Sequence, residues 1–273
     1  MAVGIITDST AALPEEVRSR WNIAVVPLMI TVDGLTVSDG ELATADIIAA
    51  RNHSSSSPPP GAFTEAITGH DQGDGVVLVT VSSTLSSTHQ SAVLAARSAP
   101  GPVAVVDSRT AAGGQGLVTV AAARAARAGA SLDEVVARAE EVARRVKLVG
   151  ALANLDQLIR SGRVPGLAGR AGNLIGVRPL FDIHGGVIGR LRPALSDEAA
   201  MQRLLTIWRR TRPAGEARLH LVCLHADAPG PALELMATIT AEVQPADAFI
   251  SGFGQAMMIN SGTGVRGLAW YWD

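Results

Sequence analysis

Short apolar runs, each closed by a turn or a cluster of hydroxyls, alternate with longer helical stretches through the first half of this chain. GIIT leads into Asp8-Ser9-Thr10, VVLVTV into the hydroxyl-rich run 82–88, and VAVV into Asp107-Ser108-Arg109-Thr110. These apolar runs read as strands of an open parallel sheet. Pro14-Glu15-Glu16 reads as a helix start, with proline in the first turn and acids at the positive helix end. Ser131-Leu132-Asp133-Glu134 is a capping box opening a helix that runs to about Lys147. IAVVPLMITVDG reads as one further extended stretch ending in a turn at Asp33-Gly34, and residues 39–50 hold one helix. The serines at 54–57 and prolines at 58–60 read either as a low-complexity linker or as a rigid turn that delivers serines to a fixed place. Gly61-Ala62-Phe63 then opens another helix. Gly113-Gly114-Gln115-Gly116 reads as a tight connection between the VAVV strand and a long alanine-rich helix.

Around residue 150 the pattern changes. LVGALANL is a strand, Leu155 to Arg160 a short helix, and Ser161-Gly162-Arg163 a turn. PLFDIHGGVIGRLR reads as a hairpin about His184-Gly185-Gly186. A helix from Ser196 to Arg212, the strand ARLHLVCLHA and the helix PALELMATITAEV come next, and the last strands end in Asn260-Ser261-Gly262-Thr263-Gly264 and GLAWYWD. Strands alternating with helices imply parallel βαβ units. The expected fold class is α/β: a parallel-sheet N-terminal domain over residues 1–150, Rossmann-like in its alternation, and a second α+β domain over 151–273.

Bulk properties narrow the function. The 273 residues are 47% hydrophobic and 18% charged, which excludes disorder as the dominant state. A net charge of −2 carries no polyanion signature, so no nucleic acid partner is expected. The single cysteine, Cys223, sits in an apolar run and reads as a buried strand residue. No apolar stretch approaches the ~18 residues of a membrane span, so no stable membrane insertion is expected and the chain reads as cytoplasmic.

In an open parallel sheet, ligands sit beyond the carboxyl ends of the strands. A crevice lined there by neutral hydroxyls suits holding a polar or anionic head group more than breaking a bond. The glycine-rich segment fails the G-x-G-x-x-G pattern, because Thr119 occupies the third glycine's place, and no P-loop or G-x-S-x-G elbow occurs. The six histidines are scattered, so neither a metal site nor a cofactor is expected. Asp8 and Asp107 stand at strand ends as candidate bases, or as Asx-type turns that cap the next helix. The serine loop offers seven hydroxyls, counting Thr80, which exceeds what capping a helix requires.

The combination of ITDSTAALP, PPPGAF, SSTLSSTHQSA, VVDSRTAAGGQG, SGR, GNLIGVRPL and a C-terminal SGTG, in this order and over nearly the whole chain, resembles the DegV family. These are bacterial fatty-acid-binding proteins that work with a separate fatty acid kinase. The resemblance implies a two-domain α/β protein that is no enzyme itself. It implies one long acyl chain between the domains, its carboxylate held by hydroxyls and presented to the kinase. It places the carboxylate-binding residues at Ser55 and Ser86, with Ser87 and His89 where the family has glycine and tyrosine, and Arg163 as the cation near the domain junction. Two departures stand out. A histidine near the head group is here Asn260, which donates a hydrogen bond but does not titrate. The basic residues that usually come after the family's G-G-R are replaced by Val164 to Gly169 ahead of Arg170; if the family's cations there help dock the kinase, the resemblance implies docking that is weakened or rearranged here.

Elementary energetics agrees with a lipid ligand. Burying a dozen methylenes at ~0.8 kcal/mol each yields about 10 kcal/mol before ordering costs. The head group then needs only a few hydrogen bonds for orientation. With 3% aromatic residues, the chain is expected to wall such a tunnel with Ala, Val, Leu, Ile and Met. The alternative is a small hydrolase or phosphoryl-transfer enzyme using Asp8, Ser9 and Ser86.

Overall fold

The computed structural model of the protein describes residues 2–163 and 176–273. Strand β1 (Gly4–Asp8) is followed by helix α1 (Glu15–Trp21) and β2 (Ile23–Val26). Strands β3 (Met29–Val32) and β4 (Leu35–Ser38), helix α2 (Thr44–Ala49) and β5 (His53–Ser56) come next. Helix α3 (Pro60–His70), β6 (Val76–Thr80), α4 (Thr88–Arg97), β7 (Val103–Asp107), α5 (Ala112–Arg127) and α6 (Leu132–Arg145) complete the first half. The second half runs β8 (Lys147–Ala151), α7 (Asp156–Ser161), β9 (Arg178–His184), β10 (Val187–Ala194) and α8 (Asp197–Arg209). It ends with β11 (Leu219–His225), α9 (Pro229–Glu242), β12 (Asp247–Gly252), α10 (Gln255–Ser261) and β13 (Arg266–Trp272).

The apolar runs become a parallel sheet of order β2-β1-β6-β7, and every residue of β1 and β6 is buried. A second sheet, β10-β9-β8-β13-β11-β12, is antiparallel except for the β11–β12 pair, so the α/β class with a second sheet-rich part is what forms. The capping box forms as expected, with Ser131 and Glu134 satisfying each other's backbone N–H groups. Among the described residues no helix is long and apolar enough to cross a membrane.

Four local expectations are corrected. IAVVPLMITV is two strands in two different sheets, because Pro27 has no N–H for the ladder and the chain turns there. Leu28 N donates to Ser9 Oγ (3.0 Å), and β3 then enters a three-stranded sheet of order β4-β3-β5. The 54–60 tract is no linker: His53–Ser56 is an edge strand pairing Ile30 with Ser55, and Pro60 opens α3. Gly113, Gly114 and Gly116 lie inside the first turns of α5 rather than ahead of it. A Cβ on Gly113 would stand 2.6 Å from Val222 Cγ1 and 2.7 Å from Leu224 Cδ2, so the glycine lets α5 press onto the second sheet. Finally, Asn260 and Ser261 close helix α10 instead of ending a strand.

Helix α5 is what joins the two sheets. Residues 112–123 are all buried, and one apolar core runs from Val77, Val79 and Val106 through α5 to Leu148, Val222 and Leu224. A separate core backs the far face of the second sheet under α8 and α9, around Trp208 and Trp270.

Candidate functional site

A cavity of about 390 Å³ opens where the carboxyl ends of β1, β6 and β7 face β8, β9 and β10. Ser55, Ser86, Ser87, Arg163 and Asn260 all line it, although they come from β5, the loop before α4, the turn after α7 and the end of α10. Ser56, Ser57, Ser161 and Ser261 join them. Apart from Thr10, the rest of the wall is apolar, including Leu28, Leu85, Leu148, Leu152, Ile183 and Ile188. The aromatic-poor wall expected from composition is corrected: Phe181 and Phe253, two of the chain's four phenylalanines, both line the cavity. Alternation along a strand groups Phe181 with Ile183 on one sheet face, but no local signal says which face meets the cavity.

The polar end is a hydrogen-bonded network with a defined direction. Arg163 Nη1 donates to Asn260 Oδ1 (2.7 Å) and to Ser161 O (3.0 Å). A guanidinium only donates, so Asn260 must turn its carbonyl oxygen toward it. The amide nitrogen therefore donates to Ser55 Oγ and to Ala256 O, both at 2.8 Å. Because Ser55 Oγ accepts from that amide, its own proton remains for the cavity. Arg163 is half-buried and joins no ion pair among the described residues, and desolvation lowers its pKa. Its remaining N–H groups are the natural partners of an entering anion. The next segment, Val164 to Arg170, lies outside the described residues.

The hydroxyls of the serine loop divide into two sets. Thr80 Oγ1 pairs with His89 Nδ1 (3.0 Å), and Ser83 Oγ donates to Asp107 Oδ2 (2.6 Å). Ser82 Oγ donates to Gly186 O (2.9 Å), and Thr84 Oγ1 donates to the same carbonyl. The surplus seen in sequence is thus largely tertiary: these side chains tie the loop to β7 and pin the tip of the β9–β10 hairpin. Ser86 and Ser87 are left facing the cavity. Ser86 Oγ accepts from Thr88 N (3.2 Å) and lies 2.8 Å from Thr88 Oγ1, while Ser87 Oγ meets Ser57 Oγ at 3.3 Å.

The groups named for the enzymatic alternative are occupied otherwise. Asp8 is fully buried and accepts from Thr10 N (3.0 Å), Val81 N (2.9 Å) and the Thr10 hydroxyl. Burial pushes its carboxyl above the usual range. Ser9 Oγ donates to Asp39 Oδ2 (2.7 Å) and does not line the cavity. Neither a histidine nor a carboxylate bonds to Ser86 among the described residues, and His89 bonds instead to the buried Thr80 hydroxyl.

Comparison with known proteins agrees with this architecture. The family model described as "Uncharacterised protein, DegV family" matches residues 2–273. A DegV domain-containing protein of Mycobacterium tuberculosis is 34% identical over 277 residues, covering 98% of this chain and 96% of the relative. A protein of Thermotoga maritima named fatty acid-binding protein is 29% identical, with 98% and 96% covered. Among solved structures, a DegV lipid binding protein from Thermotoga maritima superposes with a TM-score of 0.90 at 28% identity, covering 100% of this chain and 99% of its own. A DegV family protein from Thermus thermophilus, described for its fatty acid binding, gives 0.90 and 28%, covering 99% of each. With residues 2–273 matched by the family model and a relative 34% identical over 98% of its length, the chain belongs to the DegV family.

Proposed function

We propose that this protein binds one long-chain fatty acid in the cavity, between its residue 1–150 and 151–273 halves, and is a non-enzymatic cytoplasmic acyl carrier. The observation that carries the reading is the cavity's division into one polar end, built from both halves, and one continuous apolar remainder. The carboxylate takes hydrogen bonds from Ser55 and Ser86, with Ser87 beside them and Arg163 supplying the charge. Asn260 orients Ser55. The tail lies against leucine, isoleucine and phenylalanine side chains, sealed from water. Relatives described as fatty-acid-binding support the ligand class.

Native mass spectrometry of protein purified from a bacterial host tests this directly. A co-purifying acyl mass, lost on delipidation and restored by added fatty acid, is expected; an empty protein that takes up no acid refutes the reading. Ser86→Ala should weaken binding about ten- to a hundredfold, the effect of removing one hydrogen bond to a charged group.

The same reading extends to a partner. Ser57 and Ser87 meet at the rim beside the proposed carboxylate, and Ser87 is exposed, so the head group is presented outward to a fatty acid kinase. The loaded protein, mixed with such a kinase and ATP, should yield acyl phosphate trapped as a hydroxamate. No product with a kinase active on another carrier would remove the presentation step while leaving fatty acid binding intact.

A further inference from the structure

Three strands of the second sheet meet in register at one level of the cavity wall. Gly267 of β13 stands opposite Gly150 of β8, and Gly150 stands opposite Phe181 of β9. Paired residues of neighbouring strands share a face, so two bare positions lie beside one phenyl ring. The ring uses that space: a Cβ on Gly150 would come within 2.7 Å of both Phe181 Cε1 and Cζ. The two glycines have different reasons to be bare. A Cβ on Gly267 would meet backbone, at 2.5 Å from Val149 O. For Gly150 the nearest backbone atom is Arg266 O at 3.4 Å, an ordinary contact, so the backbone would tolerate a side chain there. What demands glycine at 150 is the phenyl ring.

Position along the cavity gives the pair a role. Leu152 lies toward the Leu158 and Arg163 end, whereas Leu148, opposite Ile183, lines the far stretch. Gly150 falls midway, about 7 Å along the strand from each at ~3.3 Å per residue. A ring seated against Gly150 leaves the cavity open past this level. A ring lifted off Gly150 has the cavity to move into, since Phe181 already lines it.

We propose that the Gly150–Phe181 pair determines acyl-chain selectivity, the bare glycine holding the phenyl ring down so that a long chain passes beyond it. This rests on the fatty acid reading. A methyl group at 150 tips the ring into the path and denies burial to the methylenes beyond. Each methylene so denied weakens binding about fourfold, and two or three about 15- to 60-fold.

The test is a titration of delipidated protein with saturated fatty acids of increasing length. Native protein should bind more tightly with each added methylene across the series. In Gly150→Ala the gain should stop early: short acids bind within about twofold of native, and the longest lose about 15- to 60-fold. Gly150→Ala/Phe181→Ala should recover the long acids, because the obstructing ring is gone. Phe181→Trp, which adds bulk at the same level while Gly150 stays as it is, should reproduce the early stop and keeps the test decisive should Gly150→Ala fold poorly. A loss uniform over all lengths, no change in the length profile, or failure of the double variant to recover long acids overturns the proposal. Native protein that binds no acid of any length refutes the fatty acid reading instead.

Discussion

Replacing Asn260 by aspartate alters a single atom's chemistry at the centre of the polar network and should weaken fatty acid binding about ten- to a hundredfold. In the native protein the amide oxygen takes a hydrogen bond from Arg163 (2.7 Å) and the amide nitrogen donates to Ser55 (2.8 Å). Aspartate keeps the first contact, which becomes an ion pair, and cannot make the second. The Ser55 proton then turns to the new carboxylate and away from the ligand, which loses a charge-assisted hydrogen bond of about 1.5–3 kcal/mol. Repulsion between the two carboxylates acts in the same direction and is partly offset by Arg163. Isothermal titration at neutral pH on Asn260→Asp, Ser55→Ala and the double variant measures both the loss and its route. Because Asn260 acts through Ser55, the effects should overlap, the double variant binding much as the weaker single one does. Native-like affinity in Asn260→Asp, or fully additive losses across the pair, would refute the relay.

Affinity of the native protein should be nearly flat between about pH 6 and pH 8, since serine, asparagine and arginine keep one charge state there. His89→Gln should leave it unchanged because His89 bonds to Thr80 outside the cavity; a pH step that vanishes in His89→Gln would contradict this placement. Stability should fall as pH drops from about 6.5 toward 4: His220, 1% exposed, donates Nδ1–H to Asp247 (2.7 Å) while Nε2 makes no hydrogen bond among the described residues, with Asp273 Oδ2 at 3.8 Å, and burial, aided by Arg124, lowers its pKa to about 4. The neutral ring is the folded form, so the contribution is complete above the unfolded value near 6.5 and up to about 3 kcal/mol is lost by pH 4. Urea midpoints across this range should show that slope in native protein and a shallower one in His220→Gln; equal slopes exclude His220 as its source. Asp8→Ala should destabilise by about 2–6 kcal/mol, because it strands the buried N–H groups of Thr10 and Val81, and a thermal melt matching native would show that Asp8 is not structural.

Local chemistry made much of this legible. The apolar runs ending at Asp8, Thr80 and Asp107 were recognisable as parallel strands because such strands show little alternation, although β7, at the sheet's edge, is fully buried only at Val106; their carboxyl ends do face the cavity. The capping box at Ser131 and the hairpin at Gly185-Gly186, both glycines at positive φ, were legible because a few adjacent residues supply the whole geometry. Legibility failed where partners lie far apart in the chain. Ser82 and Thr84 looked like spare ligand donors until Gly186, over a hundred residues on, proved to be their acceptor. Asn260 was placed at a strand end because Gly262-Thr263-Gly264 signals a chain break without saying which element precedes it.

Residue pattern and motif order were therefore enough to establish most element types, the family and the candidate polar residues, since each depends on neighbours along the chain. Only the folded chain decided how those residues act together. The direction of the Arg163–Asn260–Ser55 network arises where α10 packs on β5 and α7, and the burial of Asp8 and the ring of Phe181 against Gly150 arise where α5 clamps two sheets against each other. Side-chain hydrogen bonds and close packing are fixed by distances of a few ångströms, and those distances exist only once strands remote in sequence stand in register.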